Sequence, residues 1–143
     1  IGVINALKDS VGDKVAIDPK NGSIRFQSGV FFQQNGAELT PQAKEDLQVV
    51  LHEYIYTLMN NPKIAPHLDA VIIEGHTNER GSRETNIAFG DRRAGAVKSF
   101  LIKEGIDRER LIAVSFGKER PVDKGTSEAA RAKNRRVHFV IKE

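Results

Sequence analysis

Apolar positions change their period along the chain, and the changes predict its elements. Val3, Leu7 and Val11 recur at helical spacing, and Gly12-Asp13 ends that short helix. Residues 14–17 and 23–26 read as two strands around Asp18-Pro-Lys-Asn-Gly22, a turn sequence, so a hairpin is expected. The apolar piece 29–32 runs into polar Gln33-Gln-Asn-Gly36, a loop that re-aims the chain. Thr40-Pro41 places an N-cap before a proline at the first helical position. Ala43, Leu47, Val50, Leu51, Tyr54 and Leu58 make one apolar face behind it. Pro62 disfavours helix in the residue before it, so this helix should stop near Asn60-Asn61.

The second half starts with a β-branched run, 70–74, that predicts a buried strand. Polar residues 75–82 form a loop. A helix follows with Ile87, Ala94, Val97 and Leu101 inward and Gly105 as its C-terminal stop. Residues 111–116 are another strand, and strand, helix and strand together imply a right-handed parallel crossover. Ser127 caps a short helix to Lys133, and 136–142 is the last strand. The expected fold is α+β: a single mixed β-sheet with two longer helices on one face. The second sheet face is then either open or covered by the amino-terminal hairpin.

Length and composition narrow the function. At 143 residues the chain fits one domain with a real core. It has no cysteine, which removes disulfides, thiolate metal sites and cysteine nucleophiles. No apolar run approaches the roughly eighteen residues of a membrane helix. Ile1 is not an initiator methionine, so the chain reads as a fragment or a processed form. The net charge of +3 is uneven: residues 1–70 carry 6 Lys/Arg against 8 Asp/Glu, and residues 71–143 carry 16 against 11. The basic half admits an anionic partner, but acids interleave with the bases and a solvated mixed surface is the favoured explanation from charge alone. No nucleic-acid partner is expected.

Most familiar chemistries are missing. His76 stands beside Glu74 and Thr77, but His52, His67 and His138 are far from it in sequence. A hydrogen-bonding histidine is expected, with no metal and no cofactor. Ser82 and Ser115 lack a nucleophile elbow, and Gly75 and Gly81 make no phosphate loop. An enzyme is not expected. Recognition of a small charged group is what remains. Asn86 and Arg93 are about two helical turns apart and share a face, with Gly90 between them leaving space. Arg93 can hold a carboxylate through two parallel hydrogen bonds, or cap or salt-bridge within its own domain. Arg92 points away, toward solvent.

One resemblance covers residue 30 to the end. Gly75-His-Thr-Asn-Glu-Arg-Gly81, then Asn86-x-x-Phe-Gly-x-x-Arg93-Ala94-x-x-Val97-x-x-x-Leu101, resembles the signature of the OmpA-like peptidoglycan-binding domain. Gly105-Ile106, Arg110-Leu111, Phe116-Gly-Lys-Glu-Arg-Pro121 and Asn134-Arg-Arg-Val137 follow in family order. The second half is most similar to the peptidoglycan-associated lipoprotein branch. Residues 1–29, an amino-terminal helix and hairpin extension, loosely resemble the segment before this domain in MotB-type stator subunits. The resemblance divides the chain into that extension and an OmpA-like domain at 30–143, with a βαβαβ core. It implies a periplasmic module that binds the peptidoglycan stem peptide at diaminopimelate. Such a module tethers a parent protein anchored in the inner or outer membrane through a segment outside this chain.

By the same resemblance Arg93 takes the ligand carboxylate. An aspartate usually stands at the position of Asn78 and takes the ammonium. Thr77, Asn35 and Asn86 are supporting candidates, although Asn86 has the alternative of holding the loop-to-helix turn. Asn78 accepts a hydrogen bond but carries no charge. The alternative function is an envelope or stator interaction domain, a homodimer among its forms, with weakened or lost wall binding.

Overall fold

The computed structural model describes residues 15–17, 23–27, 29, 31–33, 36–50, 62, 66 and 70–142. The expected helix over 3–11, the turn 18–22, the first long helix beyond Val50, and Asn35 lie outside the described residues. In chain order the elements are β1 (Val15–Ile17), β2 (Ile24–Gln27), α1 (Pro41–Val50), β3 (Ala70–His76), α2 (Arg83–Lys103), a 3-10 turn (Arg108–Arg110), β4 (Leu111–Gly117), α3 (Glu128–Asn134) and β5 (Arg136–Lys142). The helix starts follow the sequence. Thr40 Oγ1 accepts the Ala43 N–H at 3.1 Å, and Ser127 Oγ accepts the Ala130 N–H at 3.1 Å. Gly105 ends α2 at φ +107°, its N–H on the Ile102 carbonyl and the Ile106 N–H on the Leu101 carbonyl. That is the paired closure a left-handed glycine permits.

The sheet is single and mixed, in the order β1-β2-β5-β3-β4. β3 and β4 are parallel and joined through α2, while β1–β2, β2–β5 and β3–β5 are antiparallel. The fold is therefore the expected α+β arrangement. Strand alternation puts Val71 and Ile73 of β3, Leu111 of β4, Val137 and Phe139 of β5 and Ile24 and Phe26 of β2 into one core. Ala43 and Leu47 of α1 and Ala94, Val97 and Leu101 of α2 fill the same core, so both helices cover the same face. Phe26 packs on Phe31 at 4.9 Å and edge-on to Phe139 at 5.9 Å. Each fully buried ring of this kind contributes about 1.5–3 kcal/mol.

The hairpin lies in the plane of the sheet, since β2 pairs with β5, and it does not cover the second face. That face carries Ile72, Glu74, Val114, His138 and Val140, all half-buried, and Ile112, 36% exposed.

α2 lies directly against β3 backbone to backbone. A Cβ on Gly75 would sit 2.2 Å from the Gly90 carbonyl oxygen, and one on Gly90 would sit 2.4 Å from Ser115 Oγ. The space at Gly90 therefore belongs to β3 and β4. Contrary to the expectation from helical spacing, Gly90 leaves no free space between Asn86 and Arg93.

Candidate functional site

Two walls rise where β3 ends. The first is built on α2. Asn86, Gly90, Arg93, Ala94, Val97 and Leu101 form its buried face, so Asn86 and Arg93 do share a side. Arg93 is only 4% exposed. Its Nε donates to the Gly36 carbonyl at 2.8 Å, which ties α2 to the segment after Phe32. Its guanidinium stacks over Phe89 at 4.3 Å and Phe32 at 5.1 Å from the ring centroids. Among the described residues no carboxylate pairs with it, and its two terminal nitrogens make no hydrogen bond. Burial, and then the positive charges of Arg135 and Arg92, pull its pKa down to about 10, so it stays charged at neutral pH. Arg92 is exposed, as its helical position predicts, and rests on Phe89.

The second wall is the loop 77–82. The Thr77 N–H donates to the Gly117 carbonyl at 2.8 Å, and Thr77 Oγ1 to the Asn78 carbonyl at 3.1 Å. Asn78 Oδ1 accepts the Arg80 N–H at 3.0 Å, a local turn that asparagine and aspartate make equally well. The Asn86 amide donates to the Arg80 carbonyl at 2.7 Å. Asn86 therefore braces the loop from below. Gly81 takes φ +88° directly above it. Lys118 Nζ donates to the Gly81 carbonyl at 2.8 Å, and Arg131 pairs with Glu79 at 2.5 Å. Ser82 caps α2 through the Thr85 N–H at 3.1 Å. The loop is thus fastened from β4, α2 and α3 at once.

Thr77, Asn78 and Asn86 are brought together in this loop, and Arg93 stands on the other wall. No hydrogen bond or ion pair joins Asn78 to Arg93 among the described residues. Arg135, which pairs with Glu128 at 2.6 Å, lies close enough to Arg93 to lower its pKa. It was not among the sequence candidates, although the Asn134-Arg-Arg-Val137 block contains it.

Sequence reasoning also missed a cluster on the second sheet face. His138 stands opposite Glu74 in the β3–β5 register. Glu74 Oε1 lies 2.8 Å from His76 Nε2 and 3.5 Å from His138 Nδ1. His76 is buried and stacked on Phe116 at 5.3 Å. Burial raises the Glu74 pKa, but hydrogen bonds and charge from the two histidines outweigh it and hold the carboxyl at about 2. The hydrogen-bonding histidine expected at position 76 is present. Its second partner is adjacent only through the sheet, which spacing along the chain does not show.

The sequence profile of the OmpA family matches residues 31–135. A peptidoglycan-associated lipoprotein of Pseudomonas putida is 32% identical over 97% of this chain and 87% of its own length. One from Legionella pneumophila is 38% identical over 92% of this chain and 78% of its own. The crystal structure of the peptidoglycan-associated lipoprotein from Burkholderia pseudomallei superposes with a TM-score of 0.63 at 35% identity, over 79% of this chain and 88% of that one. A MotB-like protein from Desulfovibrio vulgaris, 23% identical, has a TM-score of 0.74 over 99% of this chain and 87% of its own, a likeness of fold.

Proposed function

The chain belongs to the OmpA family, and on that premise we propose that it is a non-enzymatic module that binds bacterial peptidoglycan and tethers a membrane-attached protein in the periplasm. The observation that carries the reading is Arg93. It is a buried cation, pressed by two further arginines and without a carboxylate partner among the described residues. Such a group gains most from an external anion, because the desolvation cost is already spent in folding. The stem peptide of the wall supplies carboxylates. A diaminopimelate residue, with ammonium and carboxylate on one carbon, would set its carboxylate on Arg93 and its ammonium toward Asn78. Thr77 and Asn35 are proposed to line the ligand, and Asn86 to hold the loop in place.

Names of relatives support this reading, since they are peptidoglycan-associated lipoproteins. Asn78 favours a second one, an envelope or stator interaction domain with weakened wall binding. Co-sedimentation with purified peptidoglycan separates the two. The wild-type chain is expected to be retained, and Arg93→Ala to lose about tenfold or more of its affinity, from the ~1.5–3 kcal/mol of a charged hydrogen bond. Equal retention of both proteins would remove Arg93 from the site. No retention of either would favour the second reading.

A further inference from the structure

We propose that Glu74, His76 and His138 form a binding site for a nitrogen-seeking divalent metal ion, of which Zn2+ is the natural probe, on the second face of the sheet. The inference is independent of the peptidoglycan reading. Glu74 and His76 are two residues apart on β3 and so point to the same face, and His138 is the cross-strand partner of Glu74. Three strand positions in a paired ladder hold a ligand set more rigidly than a loop does.

Spacing suits a small ion. The Glu74 oxygen is 2.8 and 3.5 Å from the two facing nitrogens, and one ligand atom from each of the three residues lies within 4.8 Å of the others. Ligands about 2.0–2.1 Å from a tetrahedral zinc sit roughly 3.3 Å apart, so closing the set needs only small side-chain movements. The His76 side chain is 1% exposed, but those of Glu74 and His138 are 12% and 21% exposed, so the ion and a water as fourth ligand would enter from the His138 side. Phe116 fixes the plane of the His76 ring.

The outer nitrogens, His76 Nδ1 and His138 Nε2, are buried and have no hydrogen-bond partner among the described residues. Without an ion the Glu74 carboxylate only accepts, so the inner nitrogens carry the protons that face it, and an ion takes their place as each ring moves its proton to the outer nitrogen. Arg136 lies near His76, and Arg25 is the cross-strand partner of His138. Their positive charge opposes any cation, so selection falls to donor chemistry, which favours zinc over magnesium or calcium.

The test is titration calorimetry of the full chain with a zinc salt alone, with 15N histidine spectra read in parallel. One ion per chain is expected, with shifts at His76 Nε2 and His138 Nδ1 and no competition from excess Mg2+. His138→Gln and Glu74→Gln should each weaken binding by about tenfold or more, and His52→Gln with His67→Gln should leave it unchanged. His138 is partly exposed, so His138→Gln should keep the wild-type circular dichroism spectrum and report the site, not the fold. No saturable uptake would overturn the proposal. So would uptake that survives His138→Gln but is lost in the His52/His67 pair.

Discussion

Arg93 and Asn78 face different requirements although they serve one proposed ligand. Arg93 carries its charge into a buried position with aromatic faces on two sides, and the fold holds it there through one carbonyl. Asn78 uses its side-chain oxygen on the Arg80 N–H, a role that an aspartate keeps. Asn78→Asp should therefore leave the loop intact and add a negative charge toward the ligand ammonium. Tighter binding of a diaminopimelate stem peptide is expected, by about 1–2 kcal/mol or roughly 5–30-fold in calorimetry. No gain would mean that another group takes the ammonium. At this scale the sequence shows which residues share a face better than it shows what they touch. Arg93 and Asn86 share a face by helical spacing alone. That Asn86 spends its amide on the Arg80 carbonyl depends on how the loop folds back, which periodicity does not encode.

Elements meet through glycine as much as through apolar side chains. Gly75→Ala places a methyl group 2.2 Å from a backbone oxygen that moves only if α2 moves. A loss of about 3 kcal/mol or more is expected in urea denaturation, at the upper end for an overpacked core. Gly95, on the same helix, has open space around its Cβ position. Gly95→Ala should be neutral or stabilising by up to about 1 kcal/mol, through helix propensity. Capping residues were legible because their chemistry is local: Thr40, Ser127 and Gly105 each act within a few residues of themselves. Gly90 was misread for the converse reason. Its neighbours, Gly75 and Ser115, belong to two strands that sequence alone does not place against it.

Across the whole molecule, the strand order puts β5 between β2 and β3, so the first hairpin and the last strand depend on each other. The hairpin is recognisable in sequence, but its edgewise addition is not, because pairing partners so far apart leave no local signal. It brings Ile24 and Phe26, both almost completely buried, into the common core. Removing residues 1–27 should bare the β5 edge and the Phe31 and Phe139 rings. The truncated chain is expected to melt far below the intact one or to aggregate on size exclusion; a soluble monomer with unchanged melting would contradict this. The central position of β3 has a mechanical side too. If Arg93 holds the wall as proposed, tension arriving there would pass along α2 and, where Gly90 rests on Gly75, into a strand bonded on both flanks by β5 and β4. Load along that strand would shear many ladder bonds together, whereas the proposed ligand would be held by a few contacts. Under pulling, a wall-bound chain should let go before it unfolds, and repeated cycles should show release and recapture with no unfolding step between them.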